Sequence, residues 1–184
     1  MNRTILVPIA NGSEDMETII SIDILRRASY KVILTATEQN IELSKGTKVI
    51  CDILFQEIDS STLYDGIVLP GGFNGVNNLL KNEQLLELIR FNFNHNKLIA
   101  AICAAPLILD TSQILTEESH ITSHPIVKER LLKYNYKEES IVLYNNILTA
   151  RGAGNTFDFA FAILNYFGNG QLASQIASSI QYQY

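Results

Sequence analysis

The sequence predicts an α/β fold, a parallel sheet sandwiched by helices, from three observations. Near-continuous apolar runs such as Ile67-Val68-Leu69 and Leu98-Ile99-Ala100-Ala101-Ile102 lack the alternation of a half-solvated strand and suit strands buried on both faces. Stretches with helical spacing of apolar residues lie between these runs. The runs end in glycine-rich or polar loops, where such sheets bind ligands.

Taken in order, Ile5 to Ile9 is the first strand. Asn11-Gly12-Ser13 follows as turn and cap, then a helix with Met16, Ile19, Ile20, Ile24 and Leu25 as its apolar face. Val32-Ile33-Leu34 is the second strand, and Val49-Ile50-Cys51 with the stretch around Ile41 forms a small hairpin or edge pair. Tyr64 to Pro70 is a buried strand ending in Gly71-Gly72. A helix from about Asn82 to Phe93 leads into the strand Leu98 to Ile102, with Cys103 at its carboxyl end. Ala104 to Leu109 reads as helix, Ile121 to Ser123 as strand and Val127 to Leu132 as a short helix. Asn145-Asn146 turns a hairpin between Ile141-Val142-Leu143 and Ile147-Leu148-Thr149. Thr156 to Phe167 is a long apolar helix stopped by Gly168, and Leu172 to Ile180 is the last.

Bulk properties narrow the function. With 184 residues, 47% hydrophobic and 18% charged, the chain suits one domain spanning residues 1–184. A net charge of -5 without a basic tract argues against nucleic acid as a specific partner. No apolar stretch approaches the ~20 residues that span a bilayer, and the opening Met1-Asn2-Arg3-Thr4 lacks a signal-peptide pattern, so a cytoplasmic location is expected. Cys51 and Cys103 are too few for a disulfide framework. Neither has zinc-ligand spacing with His95, His120 or His124, and no metal is expected.

Four loops carry the candidate site: Gly12 to Glu17, Gly71 to Asn74, Cys103 to Ala105 and Arg151 to Asn155. Cys103 follows an apolar strand and precedes small residues. That is the setting of a nucleophile elbow, where backbone N–H groups stabilise a thiolate, although a buried packing cysteine is the competing reading. Glu14 and Asp15 suit a helix N-terminus. Glu17, one turn further in, can face the sheet end, where burial would raise its pKa. Gly71-Gly72 lets backbone amides point at an oxyanion, and no Gly-Lys-Ser/Thr follows to make a phosphate loop. Phe157 stands where a dinucleotide fingerprint needs its last glycine. His124 is held extended by Pro125 and becomes a base only if it lies near Cys103. His95 and His120 read as surface residues and Cys51 as packing. Arg151 caps a helix or holds a carboxylate.

Gly12-Ser-Glu-Asp-Met-Glu-Thr18, Leu69-Pro-Gly-Gly72, Ala101-Ile-Cys-Ala-Ala-Pro106, Thr122-Ser-His-Pro125 and Arg151-Gly-Ala-Gly154 run in order over nearly the whole chain. Together they resemble the ThiJ/PfpI superfamily, in particular the branch of the Parkinson-associated protein deglycase. The resemblance implies a flavodoxin-like doubly wound homodimer. Its implied site is a Cys103 nucleophile bonded to protonated Glu17, with His124 nearby and an oxyanion pocket at Gly71, Gly72, Ala104 and Arg151. It implies cofactor-independent glyoxalase or deglycase activity on methylglyoxal, glyoxal or early glycation adducts. The alternative is an oxidative-stress sensor or redox-regulated chaperone, and some members carry a thiamine-biosynthesis label. Where relatives have Cys-Ser-Arg this chain has Leu43-Ser44-Lys45, which exchanges a planar fork for a point charge. Arg-Gly-Pro-Gly becomes Arg151-Gly152-Ala153-Gly154, a less rigid loop. Ala104 stands where the peptidase branch has histidine, so peptidase activity is not expected.

Overall fold

The computed structural model describes residues 3–183; Met1, Asn2 and Tyr184, at the ends of the expected 1–184 domain, lie outside the described residues. The chain runs β1 (Thr4–Pro8), α1 (Asp15–Arg27), β2 (Lys31–Ala36), β3 (Asn40–Glu42), β4 (Lys48–Ile50), β5 (Ile53–Leu54), β6 (Gly66–Leu69), α2 (Phe73–Leu79) and α3 (Glu83–Asn94). It continues with β7 (Leu98–Ile102), α4 (Pro106–Thr111), β8 (His120–Ile121), β9 (Asn135–Tyr136), β10 (Ile141–Tyr144), β11 (Ile147–Ala150), α5 (Thr156–Tyr166) and α6 (Gly170–Ser179). A seven-stranded sheet in the order β10-β11-β7-β6-β1-β2-β5 forms the middle layer. All its pairs are parallel except β10 with β11. The order β2-β1-β6-β7-β11 is the flavodoxin-like arrangement, with its switch point between β1 and β6.

The strands are apolar on both faces because both are covered. Along β7, Leu98, Ala100 and Ile102 pack into the core under α1, α5 and α6. Ile99 and Ala101 pack into the opposite core with residues of α2, α3 and α4. Cys103, at the strand's end, touches both cores. Burying a Leu or Ile side chain is worth about 1.5 to 3 kcal/mol, so these strands fix the sheet and hence the loops at its carboxyl edge.

The hairpin expected around Ile41 and Val49 forms, with those two residues paired across β3 and β4. The Asn145-Asn146 hairpin forms too, with Asn145 at φ 54°. Other details differ from the sequence reading. Met16 and Ile19, assigned to the inner face of α1, are 48% and 42% exposed, while Glu17, Thr18 and Ser21 are buried in their place. The packing of α1 on α5 sets the helix rotation, and Glu17 turns inward onto the Gly71 amide. The helix expected from Ala104 starts only at Pro106, whose fixed φ suits the first helical position. Val127 to Leu132 is a 3₁₀ turn over Pro125–Arg130. Helix α2 was not foreseen.

Candidate active site

Three loops converge at the carboxyl end of β1, β6 and β7. Glu14 caps α1 by accepting the Glu17 N–H at 2.8 Å. The cap places Glu17 in the first turn, facing inward with no solvent exposure. Its Oε2 accepts the Gly71 N–H at 2.6 Å. Oε1 is buried with no partner of regular hydrogen-bond geometry among the described residues. The Cys103 thiol reaches the same carboxyl group in a looser hydrogen-bonding contact. Burial pushes the Glu17 carboxyl up to about 7, against the pull of the Gly71 amide.

Cys103 sits at φ 66°, in the left-handed region that a side-chain-bearing residue adopts at a steric cost. Two backbone bonds hold it: its N–H donates to Ala150 O at 2.9 Å, and its carbonyl accepts the His124 N–H at 2.8 Å. The Gly72 and Ala104 N–H groups donate to its sulfur. The thiol is not acidified as the elbow alone suggested. Burial first, and the adjacent Glu17 charge second, push it up to about 12. Cys103 and Glu17 therefore titrate as a pair, whose proton losses belong to both groups.

The glycines make room for this contact. A Cβ on Gly71 would lie 2.7 Å from Cys103 Cβ, 2.7 Å from Glu17 Oε2 and 2.8 Å from Ile102 O. Gly72 lies at φ 86°, and a Cβ there would stand 2.4 Å from Gly12 O. Gly75 packs equally tightly on Ser13, so α2 lies directly against the loop before α1. The sequence reading missed Gly75. Its signal was a third glycine, three residues after Gly72, at the start of a segment read as loop.

Of the remaining expected residues, His124 joins the elbow through its backbone. Its ring is exposed, and its Nδ1 accepts the Ile126 N–H at 3.2 Å. Arg151 follows Ala150, but its guanidinium turns away to Glu138, at 3.0 Å to Oε2 and 3.2 Å to the backbone oxygen. Asp15 accepts from the Lys45 N–H at 2.8 Å, the Ser44 hydroxyl at 3.1 Å and the Thr47 N–H at 3.3 Å, which ties the 43–47 loop to α1. The Lys45 side chain is exposed. His95 is exposed, and His120 stacks on Tyr144 with centroids 4.9 Å apart. Cys51 is buried, and burial pushes its thiol up to about 11. Among the described residues no cluster of His, Cys, Asp or Glu is suited to a metal, and no helix is long and apolar enough to cross a membrane.

A flavodoxin-like sheet carrying a thiol on a left-handed elbow beside a buried carboxyl group defines a class of cysteine-centred α/β proteins. Residues 3–166 match the DJ-1/PfpI family, and the chain belongs to it. Protein DJ-1 homolog B of Arabidopsis thaliana is 33% identical over 177 residues, which are 95% of this chain but 40% of that protein; the chain thus spans less than half that relative's length. The glutathione-independent glyoxalase DJR-1.2 of Caenorhabditis elegans is 29% identical over 163 residues, covering 87% of this chain and 85% of the relative. The crystal structure of Drosophila melanogaster DJ-1beta superposes with a TM-score of 0.94 at 30% identity, covering both chains completely.

Proposed function

We propose that the protein is a cofactor-independent glyoxalase or deglycase acting on methylglyoxal, glyoxal or their early adducts with amines and thiols, with Cys103 as nucleophile. The observation that carries this reading is the Cys103–Glu17 pair. The pair loses its first proton near 7, leaving one proton between sulfur and carboxyl. Two amides, Gly72 and Ala104, point at the sulfur, whereas the carboxyl has one amide and an unpartnered oxygen. That imbalance favours negative charge on Sγ and the proton on Glu17 Oε1, which then has a use for its buried oxygen as a donor to the thiolate.

The chemistry follows from that microstate. The Cys103 thiolate attacks the aldehyde carbon of methylglyoxal, and the carbonyl π electrons move to oxygen, giving a hemithioacetal. The Gly72 and Ala104 amides stabilise the oxyanion as the negative charge passes from sulfur to oxygen. Glu17 first gives its proton to that oxyanion. As a carboxylate it then takes the proton from the former aldehyde carbon and returns it to the neighbouring carbon, while the hydroxyl proton passes to the neighbouring oxygen. This oxidises the first carbon and reduces the second to give a thioester. Water hydrolyses the thioester, releasing a 2-hydroxy acid and the thiolate. His124, whose backbone is bonded to the elbow and whose Nδ1 is engaged by Ile126, hydrogen-bonds the substrate through its other ring nitrogen. With Arg151 held by Glu138 and the Gly71 N–H held by Glu17 Oε2, substrate binding falls to the amides of Gly72 and Ala104. Exposed Met16 and Ile19 on α1 and Ile50 on β4 support a homodimer formed through this face.

The test is turnover of methylglyoxal by wild type, Cys103→Ala and Glu17→Gln. Cys103→Ala is expected to be inactive. Glu17→Gln keeps a neutral donor beside the sulfur, so its thiol should alkylate with a pH midpoint within about one unit of wild type. Its turnover should fall about 10²-fold or more, because an amide cannot shuttle the proton. Equal turnover by wild type and Cys103→Ala overturns the reading. The sensor reading draws on the same pair. It is favoured only if peroxide adds oxygen to Cys103 in a protein that turns over no aldehyde.

A further inference from the structure

The two segments that hold the Cys103 elbow are tied together by side chains at two levels: in the interior Thr149 Oγ1 accepts the Thr122 N–H at 2.9 Å, and at the surface Glu138 joins them. Ala150, which accepts the Cys103 N–H, is followed by Arg151. His124, which donates to the Cys103 carbonyl, opens the 3₁₀ turn that carries Lys128. Arg151 and Lys128 end on the same carboxylate: Lys128 Nζ on Glu138 Oε1, and Arg151 on Glu138 Oε2 at 3.0 Å. Two nearby bonds fix Glu138 against the His124 side: the Lys137 N–H donates to Ile121 O at 2.8 Å, and the Tyr136 hydroxyl donates to Ser123 O at 3.0 Å. The result is a closed circuit from Cys103 through Arg151, Glu138, Lys128 and His124 back to Cys103.

We propose that Glu138 is a positioning residue for Cys103, clamping both backbone supports of the strained elbow so that the sulfur stays on the Gly72 and Ala104 amides. A lone exposed ion pair contributes little, but a carboxylate shared by two cations on different segments fixes their separation, and a left-handed non-glycine residue persists only where its surroundings enforce it. The charges acting on the thiol are Glu17 and, behind it, Glu14; His124 meets Cys103 through the backbone, and Glu138, Lys128 and Arg151 act on that backbone. This inference rests on Cys103 being the reactive thiol.

The experiment measures iodoacetamide alkylation of Cys103 by mass spectrometry across pH 5 to 9, in low salt and in ~1 M NaCl, where the Debye length falls to ~3 Å. Glu138→Gln keeps the shape and removes the charge. It should slow Cys103 alkylation at neutral pH about fivefold and raise its pH midpoint, as expected when bonds to a charged sulfur are loosened. Lys128→Gln, which opens one arm, should fall between it and wild type. High salt should move wild type towards Glu138→Gln and leave the variant unchanged. Superimposable profiles for wild type and Glu138→Gln overturn the proposal, and so does a wild-type profile indifferent to salt, which decides the matter even if the variant fails to fold. If wild-type Cys103 alkylates no faster than Cys51, the nucleophile reading itself fails.

Discussion

Replacing Glu17 with Gln should stabilise the protein, and by an amount that depends on pH. The Glu17 carboxyl has no solvent exposure, one 2.6 Å amide bond and an unpartnered Oε1, so its charged form is poorly solvated. Its pKa rises from 4.5 to about 7. Between those values the folded state binds a proton that the unfolded state has lost, so stability falls as pH rises through this window. A shift of ~2.5 units at ~1.36 kcal/mol each amounts to about 3 kcal/mol. Gln can accept the Gly71 N–H and present an NH₂ to the sulfur without carrying charge. Wild type and Glu17→Gln should therefore unfold at similar temperatures near pH 4.5, and the variant's advantage should grow to about 3 kcal/mol by pH 7.5. At roughly 2 to 4 °C per kcal/mol for a chain of this size, that is about 6 to 12 °C in thermal denaturation followed by circular dichroism. A difference in Tm that stays constant from pH 4.5 to 7.5 would refute the reasoning, because the carboxyl would then be ionising as it does in water.

Other substitutions test the surrounding geometry. Gly71→Ala forces a Cβ against Cys103, Glu17 and the Ile102 carbonyl, and should cost about 1 to 3 kcal/mol in urea denaturation while abolishing fast alkylation of Cys103. Glu14→Ala removes the α1 cap and should cost about 1 kcal/mol, read by the same denaturation. In native wild type, iodoacetamide near pH 8 should label Cys103 well before Cys51, whose buried thiol stays protonated; mass spectrometry of tryptic peptides reports the order.

The sheet was legible in the sequence because its strands are buried on both faces, and unbroken apolar runs have few other uses. Cys103 was legible for the same reason: it ends such a run, and tiny residues follow it. Helix α2 was not, because Phe73-Asn74-Gly75-Val76-Asn77-Asn78-Leu79 has glycine and three asparagines of poor helix propensity. Tertiary packing on Ser13 makes it helical, and Gly75 is there for the close approach. The rotation of α1 was misread because an apolar count favours Met16 and Ile19 for the interior, whereas the inward face near the site is occupied by Glu17, Thr18 and Ser21. A helix that delivers a functional carboxyl to a sheet end breaks the pattern by which its buried face is recognised.

The same conflict explains why local physics predicts an acidified thiol and the assembled site does not deliver one directly. Amides on an elbow lower a thiol's pKa; burial first, and the carboxylate beside it second, push the Cys103 thiol up against them. The two effects are reconciled only if the pair shares its last proton, so that ionising the site means placing charge on sulfur while the carboxyl becomes neutral. In that state both burial penalties are reduced together: the sulfur has its two amides, and Oε1 has a proton to donate. On the proposed mechanism the buried, unpartnered Glu17 oxygen marks the reactive state, and neither the elbow nor the carboxyl shows it alone.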